Sequence, residues 1–175
     1  MAYTFLKAQG LEIGNSLLEQ ESVRVAADLL QEAGSKLVLP TDCLVTQKFA
    51  AGAETRVVSV TDIPPDWEGV DIGPETRERY TAAVSEAGTV VWNGPLGVFE
   101  VDDFAAGTIA VAQALEQATW GSGAVSIIGG GDTAAAVAKA GAHKRMTHIS
   151  TGGGASLECL GGRVLPGVEA LDDGE

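Results

Sequence analysis

The stretch SIIGGGDTAAAVAKAG, residues 126–141, decides how this sequence is read. Ile127 and Ile128 give the apolar run of a buried strand, and 134–140 is an alanine-rich helical segment closed by Gly141. Three glycines stand between them. Packing alone does not call for these, because glycine loses more backbone freedom on folding than any other residue. They become useful where another molecule must approach the main chain closely. A helix start just beyond them offers free N–H groups and a positive dipole end, which suits phosphate. Asp132 complicates the picture, since a carboxylate repels phosphate unless it caps the helix or a cation lies between the two. The stretch therefore reads either as a capped turn or as a metal–phosphate site.

The same punctuation recurs outward from this point. KLVLP (36–40), TVVWNG (89–94), AVSIIGG (124–130) and THISTGG (147–153) are short apolar runs ending in turn residues, and each is predicted as a strand. Helical spacing separates them. Val23, Ala26, Ala27 and Leu30 precede a stop at Gly34. Tyr80, Ala83, Val84 and Ala87 precede Gly88, with Pro74 near the helix start. Phe104, Thr108, Val111, Ala112, Leu115 and Ala118 form the third set. Strands alternating with such helices predict an α/β fold with a parallel sheet. RVVSV (56–60) reads as a short extra strand beside a Pro-rich loop, and EALDDGE (169–175) as a frayed acidic tail. Ligands of open α/β sheets bind at the carboxyl ends of the strands. The loops WNGPLGVFE (92–100), GGGDT (129–133) and STGGGAS (150–156) are thus expected to converge on one rim.

Composition narrows the chemistry. The chain has 175 residues, 45% hydrophobic and 20% charged, which is globular rather than disordered. A formal net charge of −13 disfavours nucleic acid and anionic membrane as partners. Cys43 and Cys159 show no metal or disulfide spacing and read as small buried hydrophobes of a reduced, cytoplasmic protein. No apolar run approaches a membrane span, and the N-terminus lacks a signal-peptide pattern. A Walker loop is excluded, because the sequence has no Gly-Lys pair. Gly129, Gly131 and Ala134 satisfy the dinucleotide fingerprint, but no acidic residue closes the following strand. Phosphate bridged by Mg²⁺ suits Asp132 better, because Mg²⁺ takes one or two carboxylates together with phosphate oxygens.

Longer segments carry a resemblance. TVVWNGPLGVFE (89–100), SIIGGGDTAAAV (126–137) and THISTGGGASLE (147–158) resemble the signature segments of the phosphoglycerate kinase family. MAYTFLKAQG (1–10), IGNSLLE (13–19), LPTDCLV (39–45), DWEGVDIGP (66–74) and LPGVEAL (165–171) match that family in order. The resemblance implies that 1–175 is part of a C-terminal nucleotide-binding domain. Its expected fold is a three-layer Rossmann-like parallel sheet with helices on both faces, incomplete at its N-terminal side. The N-terminal lobe and a phosphate-binding lysine loop are expected outside this sequence. The implied reaction is reversible phosphoryl transfer between 1,3-bisphosphoglycerate and Mg-ADP, with Mg²⁺ and ADP or ATP as cofactors. Phosphoglycerate would bind only with the N-terminal lobe. Intact family members are usually monomeric, and this chain alone is expected to self-associate.

By resemblance, Asp132 holds the nucleotide's Mg²⁺, and Gly130, Gly131 and Thr133 bind phosphate oxygens through their amides and the Thr133 hydroxyl. Gly130, Gly131 and Gly153, within the 152–154 glycine run, face the transferring phosphoryl group. Glu100 meets the ribose; Asn93, Pro95, Gly97 and Val98 line the base and ribose pocket. Adenine lies over Gly69, followed by Val70 where the family usually has leucine. Plainer readings stand beside these: Asp132 as a helix cap, Glu100 as a surface carboxylate, Pro95 and Gly97 as an ordinary turn. Trp67 and Trp92 read as packing residues, and Lys139, Lys144 and Arg145 as solvated charges. His143 and His148 have no triad or ligand spacing. Three functions compete: part of a kinase, a Mg-nucleotide cradle that transfers nothing, and a structural fragment.

Overall fold

A computed structural model describes residues 1–171. The chain divides into two compact units, Met1–Ala83 with Leu96–Val111, and Val84–Pro95 with Ala112 onward.

The first unit begins with helices α1 (Ala2–Ala8) and α2 (Val23–Ala33), the latter stopped by Gly34 at φ +52°. Strands β1 (Asp42–Thr46), β2 (Thr55–Ser59) and β3 (Glu68–Ile72) form an antiparallel sheet in the order β2-β1-β3. Cys43 faces Val58 on β2 and Ile72 on β3. Leu6, Ile13, Cys43, Val45, Val60, Ile63 and Trp67 form its core. Helix α3 (Pro74–Glu86) opens with proline, which suits a first turn whose N–H groups have no intrahelical acceptor. Its missing cap comes from β1. Asp42 accepts the Thr76 N–H at 2.8 Å and the Glu75 N–H at 3.0 Å, while the Thr76 hydroxyl receives the Thr41 and Asp42 amides.

The second unit holds strands β4 (Thr89–Asn93), β5 (Val125–Gly129) and β6 (His148–Ser150), a parallel sheet in the order β4-β5-β6. Trp92 registers with Ile128, and Ile128 with Ile149. Helix α4 (Ala106–Gln117) ends in a π-turn, Ala118–Ser122, released into β5 by left-handed Gly123. Helices α5 (Gly131–Lys139) and α6 (Gly153–Leu160) follow β5 and β6, and α7 (Pro166–Glu169) is short. Trp92, Leu115, Ile128, Ala136 and Val137 are buried, consistent with the packing role read for Trp92 and, in the other unit, for Trp67.

The expected α/β class with a parallel sheet and flanking helices is present, and the antiparallel sheet is an addition to it. Two readings change. Residues 36–40 are not a strand: a 3-10 turn, Gly34–Lys36, occupies their start, Pro40 has no N–H for a ladder, and the Val38 carbonyl accepts the Tyr80 hydroxyl at 3.0 Å instead. The strand begins at Asp42. Cys159 is exposed rather than buried, unlike Cys43. Of the acidic tail read at 169–175, residues 172–175 lie outside the described residues, and Glu169 closes α7 rather than fraying.

Candidate functional site

Three strand ends meet on the second unit. Because β4, β5 and β6 are parallel and adjacent, Asn93, Gly129 and Ser150 finish on the same edge of the sheet. The two glycine runs then back onto each other. The Gly130 N–H donates to the Ser150 carbonyl at 2.9 Å, and a methyl placed on Gly153 would meet Gly130 Cα at 2.8 Å. Gly130 sits at φ +96°, a conformation that L side chains rarely adopt. Asn93, exposed, adjoins both runs: its Nδ2 makes a long 3.5 Å contact to the Gly153 carbonyl and lies 3.0 Å from where a Gly129 methyl would be.

Both helices start at this edge. The first intrahelical bond of α5 runs from the Ala134 N–H to Gly130, and that of α6 from the Ser156 N–H to Gly152. The amides of Gly131, Asp132 and Thr133 and those of Gly153, Gly154 and Ala155 therefore have no acceptor within their own helices. Gly130, not Asp132, occupies the N-cap of α5, and no side chain caps it. Asp132 stands in the first turn with its side chain exposed, so the capping role is not the one the structure gives it. Thr133 is buried, and its hydroxyl oxygen accepts the Gly94 N–H at 2.7 Å, tying the β4 loop to α5. Gly131 is open, with no atom within 4 Å of a methyl built on it. Arg145 pairs with Glu116 at 2.9 Å and lies 5.4 Å from the Trp120 ring centroid, more engaged than a free solvated charge.

Gly69, Val70, Gly97, Val98 and Glu100 belong to the first unit. Val70 is buried on β3, and its carbonyl accepts the Val98 N–H at 2.8 Å. Thr108 receives the Leu96 and Gly97 amides at 3.1 and 3.3 Å. Glu100 is exposed. The side-chain direction of Gly69 is filled by the Tyr3 ring, a packing reason for glycine there. The placed residues thus form two groups: Asn93, Pro95 and 130–133 with Gly153 on one unit, and Gly69, Val70, Gly97, Val98 and Glu100 on the other.

The comparisons with known proteins concern nearly all of this sequence. The family model for phosphoglycerate kinase matches residues 1–163. This chain belongs to the phosphoglycerate kinase family. A phosphoglycerate kinase of Chloroflexus aurantiacus is 54% identical over 178 residues, taking in 100% of this chain and 44% of its own length. A cytosolic phosphoglycerate kinase of Triticum aestivum is 53% identical over 176 residues, 99% of this chain and 44% of its own. The solved phosphoglycerate kinase of Coxiella burnetii superposes with a TM-score of 0.88 at 42% identity, over 96% of this chain and 43% of that one. The chain therefore spans under half the length of the phosphoglycerate kinases it matches. No described helix is long and apolar enough to cross a membrane.

Sequence reasoning passed over two buried carboxylates within the phosphoglycerate kinase motifs. Asp71, 3% exposed, has its carboxyl pushed up to about 6 by burial, against the opposing pull of the Gly107 and Ile72 amides and the Arg77 charge. Asp42 is also buried, but its bonds from Thr76 and Glu75, with Arg77, outweigh the burial and hold it below the usual carboxylate range. Burial, then Asp42, raises the Cys43 thiol to about 11, with a Tyr3 hydrogen bond opposing. The signal for Asp71 and Asp42 was a charged residue inside an apolar strand run, DCLVT and EGVDI.

Proposed function

We propose that this chain supplies the Mg-nucleotide-binding part of a reversible phosphoryl transfer between 1,3-bisphosphoglycerate and Mg-ADP, giving 3-phosphoglycerate and Mg-ATP in glycolysis, in the cytoplasm. One observation carries the reading: two glycine-led helix starts packed back to back, with an exposed carboxylate in the first turn of one. Such starts bind phosphate through amides and dipole. The donor set fits Mg²⁺ held partly by a phosphate ligand. Asp132 is a lone carboxylate, and no cluster of three metal-ligating side chains occurs among the described residues.

When bound, Mg²⁺ would supply neutralisation of the phosphate charge. Asp132 would hold that cation. The amides of Gly131 and Thr133 would orient the phosphates, while that of Gly130, expected to join them, donates to the Ser150 carbonyl instead and Gly130 shapes the turn; Gly153 with its neighbours would face the transferring group. Asn93 and Pro95 are proposed by resemblance for base and ribose contacts. Gly69 and Val70 are proposed likewise for adenine, Gly97 and Val98 for base and ribose contacts and Glu100 for the ribose hydroxyls. The family resemblance supports these assignments. The experiment is calorimetry of ADP with and without Mg²⁺ on the wild type and Asp132→Ala. Loss confined to the Mg²⁺ titration is expected; equal loss in both would remove Asp132 from the metal.

A second reading rests on another observation. None of the three loops carries lysine or arginine. Cationic contacts to a transferring phosphoryl group are worth about 10³–10⁵ in rate, and losing substrate positioning removes more. On this reading Met1–Glu175 alone binds Mg-nucleotide and turns over nothing. A coupled assay on material of verified mass decides: activity is expected only with the further segments that the longer relatives have, and near-enzyme rates from 175 residues would overturn it.

A further inference from the structure

The 97–100 loop rests on a buried carboxylate. Asp71 Oδ2 accepts the Gly107 N–H at 2.6 Å, and Oδ1 accepts the Ile72 N–H at 2.8 Å. A methyl on Gly97 would meet Asp71 Oδ1 at 2.5 Å and the Phe104 carbonyl at 2.7 Å, and one on Gly107 would also strike the Asp71 carboxylate. Two glycines thus let two segments close on one side chain. The neighbouring residue of β3, Val70, receives the Val98 N–H. Phe104, at the turn between these segments, is fully buried. The loop that would carry Val98 and Glu100 to a nucleoside is therefore seated on β3 at two successive residues.

We infer that Asp71 is a positioning residue, whose carboxylate seats the 97–100 loop against β3 and the start of α4 and thereby sets the affinity for Mg-ADP. This rests on the nucleotide reading above. Asp71 itself touches no ligand on this account and acts through Gly97, Val98 and Glu100. The charge matters because N–H bonds to an ionised acceptor are roughly twice as strong as neutral ones. Arg77 on α3 faces Asp71 and favours its ionised form, and the Tyr3 phenol on α1 feels its charge. Arg77 also acts on Asp42 of β1. With the carboxyl near 6, raising pH through that value ionises it and tightens the Gly107 bond.

The test titrates the full chain and Asp71→Asn with ADP plus Mg²⁺ by calorimetry between about pH 5 and about pH 8, while NMR follows amide exchange at Val98 and Gly107. Relative to the variant, wild-type affinity is expected to rise about tenfold as pH passes the Asp71 transition. The ratio of the two proteins cancels the titration of ADP's own phosphate. The Val98 and Gly107 amides should exchange faster in the variant, while those of β5 do not change. Equal affinity, equal pH profile and equal protection would overturn the inference. Should Asp71→Asn not fold, the ligand-free wild type decides: the Gly107 shift and Val98 protection titrate together near pH 6, or the inference fails. A wild type that binds no Mg-ADP at any pH overturns the nucleotide reading itself, and the seating of the loop is then judged on the two amides alone.

Discussion

Gly130 and Gly131 are neighbours in one motif, yet different physics holds each in place. Gly130 is at φ +96° and its Cα lies against Gly153, so the fold itself requires it. Gly130→Ala should destabilise by about 1–3 kcal/mol, the usual cost of a strained backbone conformation. Gly131 has ordinary φ and open space around it. Gly131→Ala should leave stability unchanged or raise it by about 0.4–1 kcal/mol, because a helix position loses only unfolded-state freedom. Mg-ADP binding should nevertheless weaken roughly tenfold, equivalent to ~1.4 kcal/mol, if phosphate lies against that amide. Urea unfolding and calorimetry on both variants check the pair. A Gly131→Ala protein that keeps full affinity would leave the third glycine without a ligand role.

At the scale of elements, the joint between β1 and α3 carries the most concentrated polar network of the first unit. Asp42 satisfies two amides of the α3 first turn, and Thr76, fully buried, ties the same turn back to Thr41 and Asp42. Asp42→Ala leaves those amides buried and unpaired, a loss of about 1–3 kcal/mol per group at the upper end. The pH dependence has a definite sign. The folded carboxyl is held below its ordinary 3.8, so its contribution is complete above that value and disappears as pH falls through the lower folded one. Wild-type stability should therefore drop more steeply below about pH 4 than that of Asp42→Ala. Denaturant midpoints from about pH 2 to about pH 6 measure this, and parallel curves would mean the cap is not charged in the fold. The same arithmetic has the opposite sign at Asp71, whose carboxyl is raised.

For the whole molecule, the formal charge of −13 works against compactness. Raising ionic strength from about 0.01 to about 0.15 M shortens the screening length from roughly 30 to roughly 8 Å. The urea midpoint should rise over that range in KCl, and a flat response would mean that the charges are balanced locally. At this scale the division between sequence and structure is also clearest. The helical spacing at 23–30 and 80–87 and the strand runs at 89–94 and 124–130 announced α2, α3, β4 and β5 through periodicity and glycine or proline punctuation, which are properties of neighbours along the chain. The glycine-rich strand ends and Asp132 were legible for the same reason, and the long motifs named the family. RVVSV (56–60) was legible as the strand β2, but its antiparallel pairing in the order β2-β1-β3, the failure of 36–40 to become a strand and the Tyr3 cover over Gly69 were not. Nor were the seating of Gly97 and Gly107 on Asp71 and the capping of α3 by Asp42, contacts made across 36 and 34 residues of chain. A local pattern reports which face of an element is apolar. Which buried carboxylate meets which distant amide is decided only when the elements pack, because only burial makes leaving either of them unpaired costly.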